Sequence, residues 1–366
     1  MITPPFTTHH EELRSEIRAF VAEELRPRAG EWEEAGWFPN DVFTRMGELG
    51  LLGLKYPREY GGRGGDHLDD AVLSEELSRC GSGGLAAGIG AHVGIATPPV
   101  WRFGTDDQKE RFLAPAIRGE RIAALGITEP GAGSDVAGIR TFARKVDGGY
   151  VVNGSKTYIT NGVRADFVVT AVKTTEAGGH HGLSFLLLER EMEGFEVSKK
   201  LEKLGWRASD TGELAFGDVF VPEENLLGEE NRGFYLIMAN FQWERLIMAL
   251  GAVSSMAAVL ERVTEAASGQ ARWRHAVAEI AVKHEASRAL TYHALRLFAD
   301  GHDALREVTE AKLLSQRAAF EVAELAFRMT DGDEEIGRVM RDTRLGPIGG
   351  GTDEGMKEIL AKQLGL

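Results

Sequence analysis

Two short stretches of this chain gather the residue types that hold a ligand carrying rings and phosphates. The first is Ile127-Thr128-Glu129-Pro130-Gly131-Ala132-Gly133-Ser134-Asp135, and the second is Gly154-Ser155-Lys156-Thr157-Tyr158-Ile159-Thr160-Asn161-Gly162. Gly131 and Gly133 have no Cβ, so the main chain there can approach a ligand closely. Thr128, Ser134 and Thr160 carry hydroxyls able to donate to ring heteroatoms and phosphate oxygens. Glu-Pro-Gly alone is a common turn, so the chemistry is read from the two stretches together. A carboxylate, Glu244, stands apart from them among Phe241, Trp243, Leu246, Ile247 and Met248. Desolvation in such company raises a carboxyl pKa.

These groups need a scaffold. Residues 8–120 read as helical: Thr8-His9-His10-Glu11 has capping-box spacing, and Leu13, Ile17, Phe20, Val21 and Leu25 follow at helical intervals. Pro27 is the expected stop. A short helix is expected over 41–51, a flexible glycine loop over 61–65, and a further helix over 68–77. The apolar, glycine-rich segment 81–94 suits close helix packing. From about Ile122 the pattern changes to short β-type runs at 150–154, 167–172, 183–188 and 214–216, separated by turns such as Asp147-Gly148-Gly149 and Gly178-Gly179. After Gly233 the helical period returns and holds to Leu364, in long amphipathic segments that suit a bundle. The reading is a mainly α protein with a central β domain, divided at 1–121, 122–230 and 231–366, with no internal repeat.

At 366 residues, two or three domains are expected. A net charge of −14 argues against nucleic acid or an anionic membrane as the main partner. Cys80 is the one cysteine, so no intramolecular disulfide forms, and without a His/Cys cluster a structural metal is not expected. Met1 to Thr8 shows no signal-peptide pattern, and no stretch is expected to reach the length of a membrane span. A cytoplasmic protein is expected.

The helical, β, helical order and the two polar stretches resemble the acyl-CoA dehydrogenase family over nearly the whole chain. Further landmarks are Tyr60-Gly61-Gly62, Lys203-Leu204-Gly205-Trp206, Phe216-Gly217-Asp218-Val219-Phe220-Val221-Pro222, and Arg341-Asp342 followed by Gly351-Thr352. The resemblance implies an N-terminal helical domain, a middle β-barrel-like domain and a C-terminal four-helix bundle. It implies FAD as cofactor and α,β-dehydrogenation of an acyl thioester, in which a carboxylate takes the α-proton and flavin N5 takes the β-hydride. By the same resemblance Leu125, Ile127, Thr128, Gly133, Ser134, Tyr158, Ile159, Thr160, Thr352, Asp353 and Glu354 would hold the flavin. Ser134, Gln242, Arg245, Gly350 and Gly351 would meet the substrate. No metal is implied.

Many members place the base immediately before the Gly-Thr of the C-terminal loop. Here that residue is Gly350, within Gly349-Gly350-Gly351-Thr352, and glycine cannot accept a proton. The long-chain and isovaleryl-type members carry the base on a helix instead, and Glu244 falls on that position. The backbone N–H of Gly350 or Gly351 can still polarise the thioester carbonyl. Glu354 is the rival carboxylate, read as a first-turn helix residue near the flavin. Tyr158 stands where a Trp is frequent.

Two family segments are shortened. An Arg-x-x-Phe-Gly loop is replaced by Ser268-Gly269-Gln270-Ala271-Arg272-Trp273-Arg274, and a Gly-Gly-x-Gly loop by Phe327-Arg328-Met329-Thr330-Asp331-Gly332-Asp333. In the family both reach the adenosine diphosphate half of a flavin held mainly by the neighbouring subunit. Arg272 or Arg274 is the candidate replacement for the lost arginine. The expected partners are an acyl-CoA or acyl carrier protein thioester and electron-transferring flavoprotein, within a homo-oligomer (dimer or tetramer) or a hetero-oligomer with a paralogue. Two competing readings are a subunit of a heteromeric enzyme with a weakened flavin site, and a related flavoenzyme acting on a non-thioester substrate.

Overall fold

The structure, a computed structural model, describes residues 4–175 and 179–366. Gly178 of the expected Gly178-Gly179 turn, and the first three residues, lie outside that set. Thr7 caps α1 (Thr8–Phe20) by donating its N–H to His10 Nδ1 at 3.0 Å, one residue before the cap that the spacing predicts. Leu13, Ile17 and Phe20 bury one face of α1. Pro27 does not stop the helical path. The chain runs through a wide π-type turn at Val21–Leu25 and a tight 3₁₀ turn at Arg26–Arg28 into α2 (Ala29–Ala35). Proline sits in the first turn of that 3₁₀ segment, where its missing N–H has no bond to lose.

The remaining N-terminal helices are α3 (Asp41–Glu48), α4 (His67–Leu77), α5 (Gly83–Gly90), α6 (Thr97–Phe103), α7 (Asp106–Gln108) and α8 (Ala114–Ile117). The glycine loop 61–65, expected to be flexible, is instead packed. A Cβ on Gly62 would collide with the Tyr56 carbonyl, and the N–H groups of Gly64 and Gly65 donate to Tyr56 O and Leu54 O at 2.8 and 2.9 Å. The absent side chains let backbone meet backbone.

Among the described residues eight strands follow: β1 (Ala123–Gly126), β2 (Phe142–Val146), β3 (Gly149–Thr160), β4 (Phe167–Lys173), β5 (Leu183–Glu189), β6 (Phe195–Lys200), β7 (Thr211–Pro222) and β8 (Leu226–Leu227). They form one sheet in the order β6-β7-β3-β2-β4-β5-β8, with β1 parallel to β4. β4 and β5 are buried along all but their last residue, and their composition is mostly apolar because both faces are covered. The long β3–β7 ladder slips register between Lys156 and Ile159, a bulge that shapes the site described below.

The C-terminal part holds α9 (Gly233–Ala266), α10 (Arg274–Ala299), α11 (Leu305–Met329), α12 (Glu334–Asp342) and α13 (Asp353–Gln363). α9 corrects one expectation: at 34 residues it is long and apolar enough to cross a bilayer by length and composition. Half of its apolar window is buried inside the fold, and it packs against α4, α10 and α11. One apolar core joins the N-terminal helices to α9, with Phe43, Leu73 and Leu85 meeting Trp243, Leu246 and Leu250. The central stretch of α9 is thereby held against the N-terminal helices, while Leu236 and Ile237 in its first turns share a core with β4 and β5.

Candidate active site

The first polar loop is held by a buried ion pair. Glu129, 8% exposed, accepts from the Arg140 and Thr141 N–H groups at 2.5 and 2.9 Å and from Lys156 Nζ at 2.8 Å. Lys156 also donates to Ile127 O at 3.1 Å. Burial brings Lys156 down to about 8, and the Glu129 charge works against that fall. Burial pushes Glu129 up, but the Lys156 charge and the donors around it leave the carboxyl below its usual range. Glu129 and Ala132 exchange backbone hydrogen bonds of 2.9 and 3.1 Å, closing a tight turn. Gly131, Gly133 and Ser134 are thereby exposed, and a Cβ on either glycine would meet nothing within 4 Å. Leu125, Ile127 and Thr128 are half-buried at the end of β1, and Thr128 O accepts from Thr157 N–H at 2.9 Å.

The second stretch is shaped by the bulge in β3. Tyr158 adopts φ +60, and its ring is 69% exposed. A left-handed tyrosine is strained, and such outliers are found where a site needs a side chain re-aimed. Ile159 is buried beneath it, and Thr160 is half-buried opposite Thr211 on β7. Asn161, also left-handed at φ +63, donates Nδ2 to Gly88 O at 2.8 Å and so ties the strand end to α5.

The two ends of the chain's chemistry meet at Ser134, whose Oγ lies 3.5 Å from Thr352 Oγ1. Thr352 caps α13 by accepting from Gly355 N–H at 3.1 Å. Glu354 is exposed in the first turn. Asp353 turns inward: it is 5% exposed, Oδ2 accepts from Arg317 Nε at 2.6 Å, and Oδ1 has no partner. An exposed hydroxyl, open glycines, an exposed aromatic face and the capped N-terminus of α13 are suited to a flavin and its phosphates.

Glu244 lies on the middle turns of α9, half-buried and pushed up to about 7 by burial, against the pull of the Arg245 and Lys312 charges. Arg245 is 6% exposed, its guanidinium lies 5.4 Å from the Phe241 ring centre, and its Nε has no hydrogen-bond partner. The 349–351 loop rests on this face of α9. A Cβ on Gly350 would fall within the Met248 sulfur, and one on Gly351 would stand 3.8 Å from Arg245 Nε. Gly350 and Gly351 take φ +61 and +96, which only glycine adopts readily. Gln242 is half-buried on the same helix, about 60° around the axis from Arg245 three residues on.

Several residues that build this site carry no motif. Lys312, on α11 and fully buried, donates to Gly346 O and Gly351 O at 2.8 and 2.6 Å. Gln316, one turn on, donates to Met248 O at 2.7 Å. One signal was available: Lys312 shares the core-facing period of Val308, Ser315 and Ala319, where a lysine is out of place. Glu129 and Lys156 sit inside the polar stretches, yet their burial gives no sign in sequence. Among the described residues, His9, His10 and Asp69 bring three potential ligand atoms within 4.8 Å of one another. His10 Nδ1 accepts the Thr7 N–H and His9 Nε2 lies 2.8 Å from Asp69, so the cluster serves to dock α1 on α4.

The two shortened segments close tightly. α9 and α10 are joined through a 3₁₀ turn at Ala271–Trp273, where Arg272 and Arg274 are exposed and Arg272 donates to Gln270 Oε1 at 3.2 Å. Between α11 and α12, Asp333 caps α12 and accepts from Arg262 at 2.6 Å.

A three-part fold with this surface defines an oxidoreductase that works with a bound flavin. The models of the acyl-CoA dehydrogenase N-terminal, middle and C-terminal domains match residues 7–120, 124–219 and 231–365. The chain is similar to the mitochondrial isovaleryl-CoA dehydrogenase of Solanum tuberosum, at 34% identity over 98% of this chain and 91% of that one. It is also similar to the mitochondrial long-chain specific acyl-CoA dehydrogenase of Mus musculus, at 36% identity over 98% and 87%. Among solved structures, the acyl-CoA dehydrogenase of Geobacillus kaustophilus superposes with a TM-score of 0.96 at 37% identity, over 100% of both chains. The protein belongs to the acyl-CoA dehydrogenase family, and its cofactor is FAD.

Proposed function

We propose that this protein oxidises the α,β-bond of an acyl-CoA thioester, with Glu244 as the group that takes the α-proton. The observation that carries this reading is a carboxyl held near neutrality by burial, beside a loop whose residue 350 is a glycine backed by Met248. A base with a pKa close to the working pH combines a populated carboxylate with useful proton affinity.

The remaining roles follow from position. The N–H groups of Gly350 and Gly351 polarise the thioester carbonyl, so negative charge building on its oxygen is met by fixed dipoles. Arg245, buried beside Glu244 with an unpaired Nε, adds a positive field and keeps part of the Glu244 population ionised. Thr128 and Thr160 would hold the edge of the flavin ring, the exposed Tyr158 would stand next to it, and Ser134 with the Thr352 end of α13 would meet the phosphate side. FAD, when bound, supplies the acceptor for the β-hydride. CoA is taken as the carrier because the similar proteins are named for CoA thioesters, and the substrate is a medium, long or branched acyl chain. Electron-transferring flavoprotein is the acceptor proposed to reoxidise the enzyme.

Anaerobic mixing of the holoenzyme with isovaleryl-, octanoyl- and palmitoyl-CoA tests the reading. At least one of these thioesters bleaches the flavin's visible absorbance within a turnover. Failure of all three, with bleaching by a free amino acid or a carrier-protein thioester, would move the protein to another substrate class.

A further inference from the structure

We infer that Lys312 is a positioning residue for the α-proton transfer: its ammonium group holds the Gly346–Gly351 loop to α11, where that loop meets α9, and adds to the positive charge that Glu244 faces. The inference rests on the reading of Glu244 as the base.

The clamp is geometric. One nitrogen, fully buried, bonds the carbonyls at both ends of the loop, 2.8 Å from Gly346 O and 2.6 Å from Gly351 O. Between them lie Ile348 and the glycines whose N–H groups are assigned to the thioester. Gly350 and Gly351 are both left-handed, and glycines released from such a conformation regain more backbone freedom than any other residue. Loss of the clamp therefore blurs the direction in which those N–H groups point.

A clamp alone has no need of charge. A glutamine amide can also donate to two carbonyls, without the cost of burying an ammonium whose direct partners are uncharged. Burial holds Lys312 down to about 8, so it remains largely protonated at neutral pH. The charges facing it are Asp353 and Glu354 from α13, and Glu244 and Arg245 from α9. Arg317, on its own helix, is engaged by Asp353. Lys312 and Arg245 are the two positive charges that favour the ionised form of Glu244. Removing one raises the Glu244 pKa and moves proton acceptance to higher pH.

Phenylacetyl-CoA isolates this step: it has α-hydrogens and no β-hydrogen, so proton removal proceeds without hydride loss. Deuterium uptake at its α-carbon in D₂O, followed by mass spectrometry across pH, reads the proton transfer directly. The holoenzyme exchanges with a midpoint near 7. Lys312→Gln, with its fold checked by circular dichroism and flavin content, exchanges about tenfold more slowly below the midpoint, which rises by about one pH unit. Lys312→Arg keeps the charge and therefore the midpoint, whatever it loses in rate. An unchanged midpoint in folded Lys312→Gln, or a shifted one in folded Lys312→Arg, overturns the inference. Exchange that survives Glu244→Gln would instead overturn the assignment of the base, which separates the two failures.

Discussion

Met248 and Gly350 share one volume. The Met248 sulfur occupies the space that any side chain at position 350 would need, and Met248 lies one helical turn beyond Glu244 on α9. The helix that carries the carboxyl therefore also fills the place of a loop base. Gly350→Glu must displace Met248 and hold φ +61 with a side chain, the latter alone costing about 1–2 kcal/mol. This variant is expected to melt lower and turn over slowly. Gly350→Glu combined with Glu244→Gly and Met248→Ala is expected to recover part of the activity, measured by steady-state turnover and thermal unfolding.

Glu244 is also expected to weaken the fold. Its folded pKa of about 7 exceeds the ordinary 4.5, so the folded state binds the proton more tightly than the unfolded state. Stability from this group is therefore complete below pH 4.5 and declines as pH rises toward about 7. Glu244→Gln removes that decline and stabilises the protein at pH 8 by ~2 kcal/mol, after allowance for partial solvent access. The gain fades to nothing by pH 4.5, which denaturant unfolding at the two pH values will show.

The buried Glu129–Lys156 pair gives a third test. Lys156→Met leaves Glu129 with only its Arg140 and Thr141 N–H donors in a nearly dry site. Breaking one side of such a pair costs about 3–5 kcal/mol. Because the same pair fixes the turn that presents Gly133 and Ser134, flavin content after purification falls along with the unfolding midpoint.

Flavin retention should be weak even in the unaltered protein. Arg272 and Arg274 are exposed at the shortened α9–α10 connection, and Asp333 at the other short turn is occupied by Arg262. Each charged hydrogen bond missing from the adenosine diphosphate grip costs about 1.5–3 kcal/mol. Dilution and gel filtration are expected to strip flavin, and added FAD to restore colour and activity. A homotetramer keeping one FAD per chain through that treatment would show that other groups have replaced the missing contacts.

Particular residues show how far this molecule is legible from its sequence. Val168 to Val172 announces a buried strand by its composition, whereas β2 and β6 mix charged residues with apolar ones and announce little. The cap of α1 differs by one residue because the His10 ring, and not the Glu11 carboxylate, reaches back to the N-cap N–H, and so makes Thr7 the cap. The four glycines in 61–65 look like a flexible loop in sequence; the Tyr56 carbonyl that fills the missing Cβ position of Gly62 and the Asp69 carboxyl that fills that of Gly65 come from outside the loop. At the site, Glu244 and the glycine loop are readable from motif position. Lys312 and Met248 are not, because their roles depend on which helices α9 touches, and no local pattern records that.

Single-turnover flavin reduction by Glu244→Gln, alongside Glu354→Gln, tests the central claim most directly. Glutamine keeps the shape and removes the proton acceptor, so flavin and substrate binding stay intact while the reduction rate falls by about four decades. Glu354→Gln, altered on an exposed first turn of α13, retains most of its rate. Near-normal reduction in Glu244→Gln together with a dead Glu354→Gln would contradict the account and transfer the base to α13.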